Sequence, residues 1–213
     1  MGIEEQFDDR TARRQLRRYR AKGPARTTRM LVDALVRTGI RGASFLDVGG
    51  GIGAIQHELM ARGAASGTSV DASPAYLATA RSEAHERGYD DRMRYVQGDL
   101  VEEQASIESA DLVTLDRVVC CYPDMPALVD ATAARARHAY GLVYPRDNAL
   151  GRLAIGLVNL VQRLRRHPFR AFLHPTEEVE ARVARHGLTK AYHASWTVWQ
   201  VCLFTRTDAQ SDA

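Results

Sequence analysis

The sequence predicts an α/β fold, a Rossmann-like and mostly parallel sheet that follows an N-terminal helical cap. From residue 43 onward, short apolar segments of strand character alternate with segments of helical character. Such alternation is typical of a parallel sheet whose strands are joined by right-handed helical crossovers. A glycine-rich turn at residues 49–53 directly follows the first apolar segment, where a nucleotide-like ligand crosses the sheet edge in folds of this class.

The cap is predicted from two helices that precede the sheet, over residues 8–20 and 25–37. The first has a polar, arginine-rich face, and the second places Met30, Leu31 and Leu35 at helical spacing. Gly23 and Pro24 separate the two helices, because proline is accepted at a helix start but not in its interior. Residues 1–38 therefore form the predicted cap.

The core that binds the ligand is predicted to cover residues 43–146. Strands are expected at residues 43–48, 67–70, 93–97, 112–115 and 139–143. Helices are expected between them at residues 54–62, 74–87 and 126–137.

The remainder of the chain departs from this alternation. Residues 150–166 predict an additional amphipathic helix, so residues 147–174 are interpreted as an insertion that covers the substrate. A helix at residues 175–186 follows, with acidic residues in its first turn and Gly187 at its end. Residues 189–193 and 198–205 then predict a hairpin with a short connection at Ser195 and Trp196. Together, residues 1–213 form a single predicted domain.

Composition indicates an ordinary globular chain of 213 residues, 45% apolar and 26% charged. No apolar run approaches the roughly 20 residues that span a bilayer, and no secretory signal is evident, so a cytoplasmic protein without a membrane partner is expected. Cys120, Cys121 and Cys202 have no C-x-x-C spacing. Reduced thiols are expected, and neither a disulfide framework nor a metal site is predicted.

Basic residues are unevenly distributed although the net charge is only +3. One basic stretch lies within residues 10–29 and a second within residues 163–170. Such stretches mark a footprint for nucleic acid or an anionic substrate, or they form a solvated helical face. Both interpretations stay open at this point, and the oligomeric state is unknown.

The glycine-rich turn constrains the ligand. Glycines at positions 49, 51 and 53 allow a ligand close to the backbone, and the next helix offers free N–H groups at its start. An acid, Asp47, precedes the turn and would repel a pyrophosphate, and Asp71 and Asp99 follow two later strands. A ligand among these acids should itself be positive. S-adenosylmethionine, with its sulfonium and ammonium groups, meets this requirement.

Four segments in order resemble the motifs of class I S-adenosylmethionine-dependent methyltransferases, at residues 46–53, 70–73, 98–100 and 111–117. The resemblance implies a sheet whose last strand runs antiparallel between its neighbours, and S-adenosylhomocysteine as the product. It also implies that the glycine turn holds the methionine moiety, Asp71 the ribose and Asp99 the adenine amino group. The cofactor-binding residues expected on this basis are Asp47, Gly49, Gly51, Gly53, Asp71, Ala72, Asp99, Leu100, Asp116 and Arg117.

Candidates for a catalytic group are Tyr122, just after the fourth strand, and His174, before the last large helix. Aromatic packing is the alternative role for Tyr122, and a structural hydrogen bond is the alternative for His174. No N-P-P-Y motif of base-directed amino methyltransferases follows the fourth strand. Cys121 lacks the preceding proline of the covalent cytosine-5 enzymes.

The overall layout is similar to the magnesium-protoporphyrin IX O-methyltransferase subgroup, which shares the helical cap, the Tyr-Pro pair and the inserted helix. This chain has Cys121 where that subgroup has a histidine. The sequence therefore predicts a small-molecule methyltransferase that acts on oxygen by in-line methyl transfer, with nitrogen as the alternative, without naming the acceptor. An RNA methyltransferase that uses the N-terminal arginines and a non-catalytic cofactor-binding module are the alternatives.

Overall fold

The computed structural model describes residues 8–103 and 106–206. The first seven residues of the predicted cap lie outside this range. The helices are α1 (Asp9–Lys22), α2 (Arg26–Val36), α3 (Ala54–Ala61), α4 (Pro74–Glu86), α5 (Met125–Ala133), α6 (Ala149–Leu164) and α7 (Thr176–Arg185). The strands are β1 (Ser44–Val48), β2 (Ser66–Asp71), β3 (Met93–Gln97), β4 (Ala110–Asp116), β5 (Ala136–Pro145), β6 (Leu188–Trp196) and β7 (Trp199–Arg206).

These strands form one sheet in the order β3-β2-β1-β4-β5-β7-β6. The first five strands pair in parallel, whereas β7 runs antiparallel between β5 and β6. The predicted fold class is therefore confirmed, including the reversed last strand. The chain changes direction across the sheet between β1 and β4, and ligands of such sheets bind beyond the carboxyl ends of the strands at this switch point.

Alternating side chains of the strands build a core on both faces of the sheet. Leu46 of β1 packs with Val113 of β4 and with residues of α5 and α7 on one face. Phe45 and Leu112, their neighbours along the strands, pack with α2 and α3 on the other face. Successive strand residues point to opposite faces, so both faces can be covered by helices. The central strands are buried for this reason.

The predicted helix at residues 126–137 is too long at its carboxyl end. The observed helix in this segment, α5, ends at Ala133, and β5 already begins at Ala136. Arg135 explains the early end, because its backbone carbonyl accepts from Ala110 N at the start of β4 (3.0 Å). Its guanidinium also donates to the carbonyls of Ala131 and Ile107. Tertiary hydrogen bonds thus override a segment that has helical periodicity.

The hairpin connection also lies two residues later than predicted. Trp196 still belongs to β6 and pairs with Trp199 of β7, so the turn is formed by residues 197 and 198. Thr197 has a φ of 53°, the left-handed conformation that two-residue hairpin turns demand. The predicted Ser195-Trp196 connection is therefore wrong.

Within the described residues, no helix is both long enough and apolar enough to cross a bilayer.

Gly67 in β2 should tolerate no side chain. A Cβ atom at this position would lie 2.2 Å from Cζ of Phe45, whose ring is buried in the core. We expect Gly67→Ala to lower the free energy of unfolding by about 1–3 kcal/mol, because the ring must be displaced. Urea denaturation measures the change.

Gly156→Ala in α6 is the matched control, since nothing lies within 4 Å of its added Cβ. It should be neutral or stabilise the protein by up to about 1 kcal/mol through helix propensity. A Gly67→Ala variant as stable as the wild type would contradict the packing described for this face.

Candidate active site

A cavity of about 790 Å³ opens at the carboxyl ends of the parallel strands. The turn after β1 forms its floor, and residues at the ends of β2, β3 and β4 line one wall. Helices α1 and α6 and Trp199 of β7 complete the lining. Its volume lies within the usual range for small-molecule sites. The four sequence motifs therefore meet around one cavity.

The glycine turn places bare backbone at this cavity. Gly49 has a φ of 63°, and a Cβ there would lie 2.4 Å from Cγ2 of Val118, so the turn packs directly on the segment after β4. Gly51 has a φ of 56°, and the nearest atom to its added Cβ is 4.0 Å away on Tyr76. A side chain at Gly51 would therefore occupy cavity space. Gly53 closes the turn as the N-cap of α3.

Asp71 holds the glycine turn against the end of β2. Its Oδ2 accepts from the backbone N of Gly51 (2.9 Å), and its Oδ1 accepts from the N of Ser73 (2.8 Å). Burial raises the pKa of Asp71, and the two backbone hydrogen bonds oppose that rise. Ala72 follows it and also lines the cavity. The carboxylate is thus fixed at the cavity wall, where the sequence predicts a ribose contact.

Asp99 is fixed in a similar way at the end of β3. Its Oδ1 accepts from the backbone N of Val101 (2.9 Å), and its Oδ2 accepts from the hydroxyl of Tyr122 (2.8 Å). Leu100, which lies between Asp99 and Val101 in the sequence, is buried and lines the cavity. His174 Nε2 lies 3.0 Å from the carbonyl oxygen of Tyr122, to which it donates in the matching tautomer.

These contacts favour positioning roles for Tyr122 and His174 over the catalytic roles predicted for them. The Tyr122 hydroxyl is engaged with a carboxylate, and burial raises its pKa above the ordinary value, so the phenol stays protonated. His174 supports the backbone of Tyr122 and does not line the cavity. A catalytic role for either residue stays a prediction.

Asp47 lies beneath the turn, almost completely buried. Its carboxylate accepts from Thr114 Oγ1 of β4 (2.7 Å) and from Gln56 Nε2 of α3 (3.3 Å). Burial raises the pKa of Asp47 to about 7, although the two hydrogen bonds oppose this rise. Asp47 therefore connects β1, β4 and α3 under the ligand-binding turn.

Asp116, at the end of β4, has one carboxylate oxygen that accepts a hydrogen bond and one that does not. Its Oδ2 accepts from the hydroxyl of Thr28 in α2 (2.5 Å). Its Oδ1 is buried and finds no hydrogen-bond donor among the described residues, with Arg117 Nε at 3.7 Å. Burial is the main cause that raises the pKa of Asp116, while the nearby arginine lowers it. This oxygen therefore has an ion pair with Arg117 but no hydrogen bond among the described residues.

Arg117 adopts the left-handed conformation, with a φ of 64°, which is rare for a residue with a side chain. A terminal nitrogen of its guanidinium donates to Thr27 Oγ1 (2.9 Å), and the group lies 5.1 Å from the ring centroid of Trp199. The strained backbone is thus stabilised by contacts from α2 and β7. Strain of this kind clusters at functional sites.

The sequence reasoning missed Thr27, Thr28 and Trp199 as parts of this site. Two adjacent threonines near the start of an otherwise apolar helix are a weak signal for hydroxyl contacts. Nothing in the local sequence around Trp199 predicts that the last strand reaches the end of β4. Only the strand order, with β7 beside β5, places it there.

The N-terminal cap is held over the cavity by polar contacts with α3 and α4. Gln15 Nε2 donates to the hydroxyl of Tyr76 (2.7 Å), and the Tyr19 hydroxyl donates to Glu58 (3.0 Å). Arg20 forms ion pairs with Glu83 and Glu86. Because Arg14 and Arg18 of the same helix line the cavity, the cap also contributes positive charge to it.

The groups at this edge of the cavity fit the cofactor that the motifs imply. A bare turn, two fixed carboxylates at the ends of β2 and β3, and a third carboxylate at the end of β4 suit a nucleoside with a cationic amino acid end. A diphosphate would face the same three acids. Among the residues that the structure describes, no group of histidine, cysteine and acidic side chains could hold a metal ion.

Comparisons with known proteins agree with this geometry. Residues 45–139 match the family model described as a methyltransferase domain. The comparison with curated proteins gave no match. Magnesium protoporphyrin IX methyltransferase from Synechocystis PCC 6803, solved with bound SAH, has a TM-score of 0.75 at 19% identity, covering 96% of this chain and 98% of that chain.

Two further structures have the same fold. An O-methyltransferase family protein from Burkholderia thailandensis has a TM-score of 0.68 at 18% identity, over 96% of this chain and 64% of that chain. An O-methyltransferase family 2 protein from Planctomyces limnophilus, in complex with apigenin, has a TM-score of 0.63 at 18% identity, over 87% and 63%. The predicted recognition is confirmed: residues 45–139 form a methyltransferase domain, and the chain has the class I methyltransferase fold.

Asp116→Asn should weaken S-adenosylmethionine binding by about 10- to 100-fold, because a charged acceptor is replaced by a neutral one of the same shape. Isothermal titration calorimetry measures the change. Asp91→Asn, at an exposed residue that does not line the cavity, is the control and should bind as the wild type does. Equal affinities for all three proteins would show that the charge of Asp116 does not act on the cofactor.

Asp71→Ala should also lose affinity for S-adenosylmethionine, because both the predicted ribose acceptor and the hydrogen bond to Gly51 N disappear. We expect the affinity to fall by about tenfold or more, because the loss of one hydrogen bond to a charged group already has this effect. The same calorimetry applies, and unchanged affinity would contradict the assigned contact.

Asp47 should make the protein without cofactor less stable as the pH rises. Since its pKa is about 7 in the fold and near 3.8 in the unfolded chain, the folded state holds the proton more tightly. Its stabilising contribution is complete below about pH 4 and is lost as the pH rises through 7. Between pH 5 and 8, this loss amounts to about 3 kcal/mol.

Asp47→Asn removes the titrating group and keeps an oxygen for Thr114. Its free energy of unfolding should therefore vary less with pH than that of the wild type, as urea denaturation at pH 5 and pH 8 would show. The same slope in both proteins would rule out the buried carboxyl as its source.

Proposed function

We propose that this methyltransferase transfers a methyl group from S-adenosylmethionine to an anionic oxygen, a carboxylate or a phenolate, on a small and largely apolar acceptor. Support comes from the cavity, which joins the acid-rimmed cofactor side to a wall of different character. That wall consists of apolar and cationic residues, namely Val118, Ile155, Val158, Phe169, Ala171, Val198, Trp199, Arg14, Arg18 and Arg117.

The residues at the sheet edge would hold the cofactor. Asp71 and Asp99, each already fixed by hydrogen bonds, present carboxylate oxygens to a nucleoside. The negative charge of Asp116, which lines the cavity, would attract an ammonium group, and the bare backbone at Gly51 admits the chain of the ligand. S-adenosylmethionine, when bound, supplies an electrophilic methyl group on a sulfonium and leaves as S-adenosylhomocysteine.

Arg117 is the observation that carries the proposal for the acceptor. Its guanidinium lies at the end of β4, beside Asp116 and over Trp199, and its Nε makes no hydrogen bond within the described residues. Because 39% of the Arg117 side chain is exposed, the guanidinium can reach an anionic oxygen in the cavity, and Arg14 and Arg18 add positive charge on the cap side. Charge would therefore orient the acceptor while apolar walls exclude water.

A general base is not required for such an acceptor. Among the described residues that line the cavity, there is no histidine, and the Tyr122 phenol is committed to Asp99. A base is needed only when the nucleophile arrives protonated. Carboxylates and acidic phenols arrive deprotonated at neutral pH, so positioning alone serves the transfer.

The RNA methyltransferase alternative rests on the arginines of α1, of which six are exposed: Arg10, Arg13, Arg14, Arg17, Arg18 and Arg20. Some members of the stretch have partners, since Arg20 pairs with acids of α4 and Arg26 lies over Trp196. Binding to bulk RNA that weakens steeply with salt would favour this alternative.

The other alternative is a non-catalytic module that only binds the cofactor. Formation of S-adenosylhomocysteine with a small acceptor would rule it out.

A panel of aryl and alkyl carboxylic acids, phenols and amines tests the proposal, with S-adenosylhomocysteine and methylated product measured by mass spectrometry. Arg117→Gln should lower kcat/KM for anionic acceptors by about 10- to 100-fold, because one charged hydrogen bond is lost. Arg117→Lys should recover part of this loss. Affinity for S-adenosylmethionine is expected to change much less.

Arg185→Gln, an exposed arginine near the end of α7, is the matched control and should leave kcat/KM unchanged. Turnover of amines alone, or full activity of Arg117→Gln towards carboxylates and phenols, would contradict an anionic oxygen acceptor.

A further inference from the structure

Helix α6 exposes an unusually apolar face to solvent. Leu153, Leu157 and Leu164 are 71%, 59% and 75% exposed, where globular proteins normally bury such side chains. The remaining exposed apolar side chains of the helix are Leu150, Val158, Leu160 and Val161. We call these seven residues the outer face of α6. A contiguous apolar face of this kind marks an interaction surface.

The opposite side of α6 is anchored to the protein, so the outer face is not a sign of a misplaced helix. The Asn148 side chain caps the first turn by accepting from Gly151 N (2.8 Å), and Gly151 itself is buried. Asn159 exchanges two hydrogen bonds with the backbone of Ala171, both 2.8 Å long. Ile155 lines the cavity. The helix thus has one side on the protein and one side towards solvent.

The charge around the outer face is strongly positive. Residues 146–173 contain the single acid Asp147 and the arginines Arg146, Arg152, Arg163, Arg165, Arg166 and Arg170. Asp147 is already paired with Arg152 (3.0 Å). Apolar side chains bordered by an excess of arginines over acids are the pattern of helices that lie in the plane of an anionic lipid surface.

We propose that the outer face of α6 docks on an anionic lipid surface. With 16 residues, the helix is about 24 Å long, too short to span the roughly 30 Å hydrocarbon layer, so it lies along the surface. This proposal replaces the earlier expectation of no membrane partner. It does not depend on the proposed acceptor. Because Ile155 and Val158 also line the cavity, docking brings the cavity next to the lipid.

A second copy of the chain is the competing occupant. The leucines recur at intervals of three and four residues, which is also the spacing of a coiled-coil seam. However, two copies would bring the arginines of both helices together with no unpaired acid from residues 146–173 to balance them. Val158 and Val161 also widen the face beyond a narrow seam. Charge complementarity therefore favours the lipid.

Vesicle co-sedimentation tests this proposal on the full chain, with phosphatidylcholine vesicles compared with equimolar phosphatidylcholine and phosphatidylglycerol. The wild type should bind the anionic vesicles and bind the neutral ones much more weakly. Leu153→Gln combined with Leu157→Gln should reduce binding by at least about 100-fold, since two leucines no longer enter the lipid. Arg165→Gln combined with Arg166→Gln should reduce it by about tenfold or more.

Val36→Gln, which changes an exposed apolar residue of α2, is the matched control and should bind as the wild type does. Circular dichroism and S-adenosylmethionine affinity check that each variant is folded. Failure of the wild type to bind anionic vesicles, or unchanged binding of the double leucine variant, would overturn the proposal. A dimer in sedimentation equilibrium that the leucine variant loses, without vesicle binding, would assign the face to a second copy instead.

Discussion

Four carboxylates gathered at one edge of a parallel sheet, Asp47, Asp71, Asp99 and Asp116, are the constraint on which this site depends. Removing charged groups from water is costly unless hydrogen-bond donors replace the water. The fold supplies those donors from elements distant in sequence: backbone N–H groups of the glycine turn and strand ends, and hydroxyls of α2, β4 and the segment after β4. One oxygen, on Asp116, has no hydrogen bond among the described residues and only the ion pair with Arg117.

The sequence predicted those parts of the site that depend on local chemistry. Asp71 and Asp99 were expected at the cavity because acids after parallel strands share one sheet edge, and both line it. The helix end at Ala133 was missed, since the contact of Arg135 with Ala110 is invisible to local periodicity. The Thr28 and Trp199 contacts were missed for the same reason. Each depends on which elements become neighbours in three dimensions.

The two coverings of the cavity are attached through separate sets of contacts. The cap helix α1 is held by hydrogen bonds and ion pairs to α3 and α4, and by an apolar cluster in which Ala12 and Tyr19 pack with Ile52 and Tyr76. The helix α6 is held by its capped first turn and by the paired bonds of Asn159. Each covering therefore depends on contacts that the other does not share.

The position of β7 ties the site to the order in which the chain is made. β7 carries Trp199, on which Arg117 lies, and it inserts between β5 and β6 although it is the last strand of the sequence. Until β7 leaves the ribosome, β6 has no strand to pair with and the strained Arg117 lacks its aromatic support. The nascent polypeptide thus cannot assemble the cavity wall at Arg117 until β7 has been made and has joined the sheet.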